Sequence, residues 1–350
     1  MRAKTLRSWV SKLVRRMPAT YLLAFAGAIP ASVPQAAFAG ADTGTDTGAD
    51  TGADGLEICV VVPHFKDEYW LSVAYGLEEE ARRTGTRLWT YESGGYLALA
   101  RQVELLDLCL QRGADAILLA AVSVDDPVLL DSVARASEQV PVLALVNELH
   151  SPDLAGEIGV DWRQMGAAIG RFLAGRHPDG GRPAEAVLIS GPRESGWAPL
   201  VEAGLLEAVE GSGLRIVDIR RADTGLREQI DEVGSALSQR PDIDYLIGSA
   251  PAVEAAMGLL TARPRNERPQ LLATYISHSI RRGLRRDRVL AVPFDDPVRQ
   301  GRLGMQLAIE AAKGRPRAGL SDPGIGLVTS TTLPAGGLPL SPAGFLPEIQ

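Results

Sequence analysis

Cysteine and histidine are nearly absent from this sequence: two cysteines, Cys59 and Cys109, and four histidines, His64, His150, His177 and His278, in 350 residues. Two thiols cannot make a metal centre alone, and the histidines show no His-x-x-x-His spacing. Gly-x-Ser-x-Gly and the phosphate-binding loop are missing as well, so hydrolase and phosphotransferase chemistry has no foothold. The expectation is no enzyme, no catalytic residue, no cofactor and no metal. Basic charge is also short, with a formal net charge of -7, which argues against a nucleic-acid partner. Aromatic residues make up only 5% of the chain, so the places where they gather carry information.

The N-terminus is basic. Arg2, Lys4, Arg7, Lys12, Arg15 and Arg16 precede an apolar run from Tyr21 to Ile29, followed by Ala37-Phe38-Ala39. A positive segment, a short apolar segment and an A-x-A site predict a secretory leader over 1–39, cut before Gly40, and hence a periplasmic protein. An uncleaved anchor is the alternative. Residues 40–55 run through Ala/Thr-Asp-Thr-Gly repeats with nothing large to bury, which predicts a disordered spacer. No later apolar run is long enough for a membrane span, so the mature chain is expected to insert in no membrane.

The remaining stretch suits two domains. Ile58–Val62, Leu88–Tyr91, Ala116–Ala120 and Val142–Val146 read as strands, separated by helical spacing over Asp67–Arg83, Leu97–Arg112 and Asp126–Glu138. After His150-Ser151-Pro152 the alternation starts again and continues to Ala312. This pattern predicts an α/β fold of two doubly wound parallel sheets. Cys59 falls in a strand and Cys109 in a helix that should pack on it, so a disulfide is expected in an oxidising compartment; two buried thiols are the alternative.

Ligands of such sheets sit beyond the carboxyl ends of the strands. Those ends carry Asp67, Tyr69 and Trp70 after the first strand, Tyr96 after the second, and Trp162 after the first strand of the second half. Trp197, Tyr275 and the pair Asp295-Asp296 follow later strands. Any one ring at a strand end is ordinary packing, but recurrence in both halves predicts an aromatic pocket between domains. Ring faces attract a methylated ammonium by about 0.5 to 2 kcal/mol each when desolvated, and the carboxylates add charge. A sugar is the competing ligand, with Asn147 and Arg193 as its polar readers.

Lys66-Asp67-Glu68-Tyr69-Trp70-Leu71-Ser72, Gly94-Gly95-Tyr96, Gly159-Val160-Asp161-Trp162-Arg163-Gln164-Met165-Gly166 and Leu340-Ser341-Pro342-Ala343-Gly344-Phe345 carry a resemblance. On these motifs, in order over nearly the whole mature chain, the sequence resembles the type I periplasmic binding proteins. Within them it is similar to the sensors of trimethylamine N-oxide that report to a membrane histidine kinase. The resemblance implies trimethylamine N-oxide as ligand, a box of Tyr69, Trp70, Tyr96, Trp162 and Tyr275 with Asp67 and Asp295 close by, and the sensor domain of a kinase as partner. It also places both cysteines at family positions. It implies a multi-crossing hinge between an N-terminal domain of 56–161 plus 296–325 and a C-terminal domain of 162–295 plus 326–350. The chain departs from the pattern at His64, Glu68, the loop Arg193–Trp197 and Asp296. The second functional expectation is the solute-binding component of an importer for a sugar or quaternary amine.

Overall fold

The structure is a computed structural model that describes residues 55–350. The expected leader, 1–39, and all of the spacer 40–55 except Gly55 lie outside the described residues.

Two six-stranded sheets form two lobes. The first sheet takes β1 (Glu57–Val62), β2 (Arg87–Glu92), β3 (Ala116–Leu119), β4 (Val142–Val146) and β5 (Gly156–Gly159), linked by α1 (Glu68–Thr84), α2 (Leu99–Gln111) and α3 (Pro127–Ser137). The second lobe holds α4 (Trp162–Arg176), β6 (Ala184–Ser190), α5 (Ala198–Val209), β7 (Leu214–Arg221), α6 (Leu226–Gln239), β8 (Tyr245–Gly248), α7 (Ala250–Leu259), β9 (Gln270–Ala273), α8 (His278–Arg285) and β10 (Ala291–Phe294). The chain then returns to the first lobe with α9 (Pro297–Ala312) and β11 (Leu320–Ser321), and crosses again to β12 (Gly326–Thr329).

The first sheet is parallel throughout, in the order β11-β5-β4-β3-β1-β2. The second runs β12-β10-β9-β8-β6-β7, with β12 alone antiparallel. Continuous apolar runs such as Ala116–Leu119 and Val142–Val146 are buried on both faces, as parallel strands between helical layers must be. Each order reverses direction beside its first strand, which opens a crevice there.

Three connections join the lobes, at 160–161, 295–296 and 322–325. The tail, expected with the second lobe, runs back over the first. Ser341 N–H donates to Ser72 Oγ at 3.2 Å, the Phe345 ring lies 5.2 Å from Tyr75, and Gln350 N–H donates to Thr90 O at 3.0 Å. Two helix pairs fix the loops that face the crevice. A Cβ on Gly76 would lie 2.0 Å from Val298 O, and one on Gly204 1.9 Å from Arg163 O, so α1 meets α9 and α4 meets α5 almost backbone to backbone. Cys59 and Cys109 are joined as a disulfide on the opposite face of the first sheet, within the α2–α3 core. Among the described residues no helix is long and apolar enough to cross a membrane.

Candidate functional site

Short polar caps start the helices that face the crevice, and the residues just inside those caps are the rings. Asp67 caps α1 by accepting the Tyr69 N–H at 3.0 Å, which sets Tyr69 and Trp70 in the first turn. Asp161 caps α4 in the same way, with Trp162 as first residue. Trp197 is itself the residue before α5, and it rests on Gly191, where a Cβ would approach its ring to 2.2 Å.

Tyr69, Trp70, Tyr96, Trp162, Trp197 and Tyr275 converge, together with Asp67, Val146, Asn147 and Thr224, around a small cavity. No ring of the six is more than 6% exposed, so the lobes are closed on the cavity. The rings stand edge to face, except that Trp162 and Trp197 are tilted at 52°. Tyr69 lies 5.4 Å from Tyr275 and 5.8 Å from Trp70, and Trp197 lies 5.5 Å from Tyr275 and 5.8 Å from Trp162.

Hydrogen bonding divides the three phenols into two kinds. Tyr275 donates to Asp67 Oδ2 at 2.6 Å, and Tyr69 donates to Asp295 Oδ2 at 2.7 Å. The Tyr96 hydroxyl instead accepts twice, from Asn147 Nδ2 and from Trp197 Nε1, both at 3.1 Å. Its own proton has no acceptor among the described residues. Tyr96 is therefore the phenol left with a donor to give.

Burial dominates the electrostatics. It pushes the Asp67 carboxyl up to about 6, although the Tyr275 hydroxyl and Tyr69 N–H favour the charged form. Burial likewise raises Asp295 to about 6 against the bonds from Tyr69 and Gln300. Tyr69 and Tyr275 are held well above the ordinary phenol range, by burial first and then by their carboxylate partners. The phenols stay protonated. Each carboxylate polarises a ring toward greater electron density, which suits a cation against the ring faces.

One wall is built on an unusual turn. Val146 has φ 68°, rare for a β-branched residue, and Asn147 N–H donates to Leu145 O at 2.7 Å. This three-residue turn leaves Val146 O to accept the Trp162 indole at 2.9 Å.

Asp295, expected among the ligand contacts, stands one layer back: it lies behind Tyr69, clamped by Gln300 Nε2 at 2.8 Å, and does not line the cavity. Asp296, expected to lend charge, is a helix cap instead, accepting Arg299 N–H at 3.0 Å. Arg193 is exposed and away from the rings. Val146 and Thr224 line the cavity without having been expected there. Both stand at strand ends, so the rule that found the rings reaches them too; neither has a side chain that advertises ligand binding.

Asp223, the neighbour of Thr224, connects the lobes. Its Oδ1 lies 3.2 Å from His64 Nε2 and its Oδ2 accepts Tyr96 N–H at 3.1 Å, both groups belonging to the first lobe. Burial raises this carboxyl, but the bonds from His64, Tyr96 and Thr224 together hold it below the usual range. Thr224 Oγ1 is 3.1 Å from the same His64 nitrogen, so the imidazole cannot relay a proton from hydroxyl to carboxylate through its two nitrogens.

The family model of periplasmic binding proteins and the sugar binding domain of the LacI family matches residues 55–291. The periplasmic protein TorT of Escherichia coli strain K12 is 37% identical over 296 residues, 83% of each chain. Among solved structures, the complex of the TorS sensor domain with TorT matches in the absence of ligand (TM-score 0.76) and in the presence of trimethylamine N-oxide (0.75). Both are 37% identical and cover 84% of this chain and all of theirs. A solute-binding protein of an ABC transporter from Bradyrhizobium sp. BTAi1, with bound bis-tris, is 34% identical, covers 86% of this chain and 91% of its own, and gives a TM-score of 0.71.

Proposed function

The chain belongs to the periplasmic binding proteins, and from that premise we propose that it is a periplasmic receptor for trimethylamine N-oxide that reports to the sensor domain of a membrane histidine kinase. It binds and signals and carries out no reaction. The observation that carries this reading is the cage itself: six rings around a small cavity, with one hydroxyl proton, that of Tyr96, unused. The rings and the carboxylates behind them suit a methylated, positively charged nitrogen. The Tyr96 hydroxyl suits the one oxygen that such an oxide carries.

A sugar fits poorly on the same grounds. A pyranose needs a donor or acceptor for nearly every hydroxyl, yet Asn147 Nδ2 is spent on Tyr96 and on Ala121 O, and Asp67 already accepts from Tyr275 and Tyr69. Closure of the lobes on the ligand is the event available for signalling, because ring walls come from both sides.

The likeness to the Bradyrhizobium transporter protein supports a second reading, the binding component of an importer for an amine. Calorimetric titration with trimethylamine N-oxide, choline, glycine betaine and ribose, with and without a kinase sensor domain, separates these. Tightest binding of the N-oxide together with complex formation supports the receptor. Ribose binding alone contradicts the cage chemistry.

A further inference from the structure

The chain is acidic overall, yet residues 263–288 hold eight arginines, Arg263, Arg265, Arg268, Arg281, Arg282, Arg285, Arg286 and Arg288, against two acids, Glu267 and Asp287. Five arginines elsewhere in the second lobe, among them Arg221 with Glu202 and Arg220 with Asp218, sit in ion pairs. Here one carboxylate ion pair serves the whole group, Arg282 with Glu68 at 3.7 Å. Arg263, Arg268 and Arg288 spend their donors mainly on backbone carbonyls. Arg265, Arg285 and Arg286 are exposed and make no side-chain hydrogen bond or ion pair. Crowding is felt within the group: burial and then the charges of Arg285 and Arg282 lower the Arg281 guanidinium from its ordinary value.

These side chains form one surface. Arg282, Arg286 and Arg288 line a cleft between α7 and α8, and Arg288 is shared with a second cleft that Arg265 and Arg268 line. The only acids on those two walls are Glu254 and Asp287. The surface also reaches the seam between lobes. Glu68, from the first turn of α1, accepts the Ser279 N–H at 2.7 Å as well as facing Arg282, and Arg281 Nη1 donates to Leu338 O at 3.0 Å in the tail that runs back over the first lobe.

We propose that this arginine face, centred on α8, is the docking surface for an acidic protein partner, the kinase sensor domain. Unpaired guanidinium forks are matched by carboxylates, which they bind two-pronged. A surface that ends at the seam lets the docked partner touch groups of both lobes, whose spacing changes on closure. A membrane is the less suited partner, since helices that lie on lipid present Trp, Phe or Leu beside their basic residues, and both apolar residues of α8, Ile280 and Leu284, are buried. The proposal rests on the receptor reading above.

The test is the variant Arg265→Glu, Arg285→Glu, Arg286→Glu, whose side chains make no hydrogen bond or ion pair to lose. Binding of the full mature chain to the purified sensor domain is measured beside trimethylamine N-oxide binding by the chain alone. Docking on this face requires that the variant bind the sensor domain about tenfold or more weakly. Wild-type affinity should fall as salt is raised, and both proteins should bind the N-oxide equally. Equal sensor-domain binding by the two overturns the docking surface and leaves the receptor reading standing. Failure of the wild type to bind any sensor domain overturns the receptor reading itself. Binding of the wild type to phosphatidylglycerol vesicles, abolished in the variant while sensor-domain binding persists, also overturns the proposal.

Discussion

The His64 imidazole of the first lobe and the Asp223 carboxylate of the second meet across the crevice at 3.2 Å, behind the ligand cage rather than in it. His64 is fully buried and its ring lies 5.9 Å from Tyr96, while Asp223 also holds the Tyr96 backbone N–H. Separation of the lobes would break this contact, since its two groups come from opposite lobes. His64→Ala should weaken N-oxide binding by about tenfold, through the closed–open equilibrium rather than through ligand contacts. Solution scattering should show the ligand-free variant more extended than the wild type; equal scattering profiles and equal affinity would remove the latch from the account.

Tyr96→Phe removes the one phenol donor that no carboxylate consumes. Affinity for trimethylamine N-oxide should fall by about 2 kcal/mol, a loss typical of a hydrogen bond to a charged group. Tetramethylammonium, which has no oxygen, should lose much less. Equal losses for both ligands would mean that the hydroxyl serves only Asn147 and Trp197.

The two raised carboxyls give a pH signature. Asp67 and Asp295 are pushed from 3.8 to about 6 in the folded chain, so the folded state holds the extra protons between those values. Their contribution to ligand-free stability is fully present below about pH 4 and is lost as pH rises through about 6. A positively charged nitrogen in the cage favours the ionised forms, so affinity should rise between about pH 5 and 7 with proton release near pH 6. Calorimetry in buffers of different ionisation enthalpy reads that release. Asp67→Asn should shrink it, and a release unchanged in the variant would assign the protons elsewhere.

Gly191→Ala tests the seat of Trp197. The new methyl would meet the indole at 2.2 Å, so the ring must leave the cage and release the Tyr96 hydroxyl. Ligand affinity should drop by at least about tenfold while the circular dichroism spectrum stays native. Unaltered affinity would show that Trp197 is dispensable to the site.

Much of this architecture was legible in the chain. Continuous apolar runs such as Val142–Val146 announced buried parallel strands, and the alternation with amphipathic helices announced the two sheets. The rings were visible because aromatic residues are few and recur at strand ends. What stayed hidden depended on long-range geometry. Asp295 and Asp296 are neighbours of one type, yet one backs Tyr69 and the other caps α9, because Asp296, at φ 48°, turns the chain. The helix α7 begins at Ala250, where Ser249 caps it and Pro251 sits in its first turn. The division of labour among Tyr69, Tyr96 and Tyr275 rests on partners as far as 231 residues away in the chain, which no local pattern encodes.

The account turns on whether these rings hold the ligand, and titration of trimethylamine N-oxide into Trp70→Ala and Trp162→Ala measures that most directly. Each variant is expected to fold and to lose about 2 kcal/mol of binding or more, roughly thirtyfold in affinity. Wild-type affinity in both folded variants would contradict the cage and move the site elsewhere in the molecule.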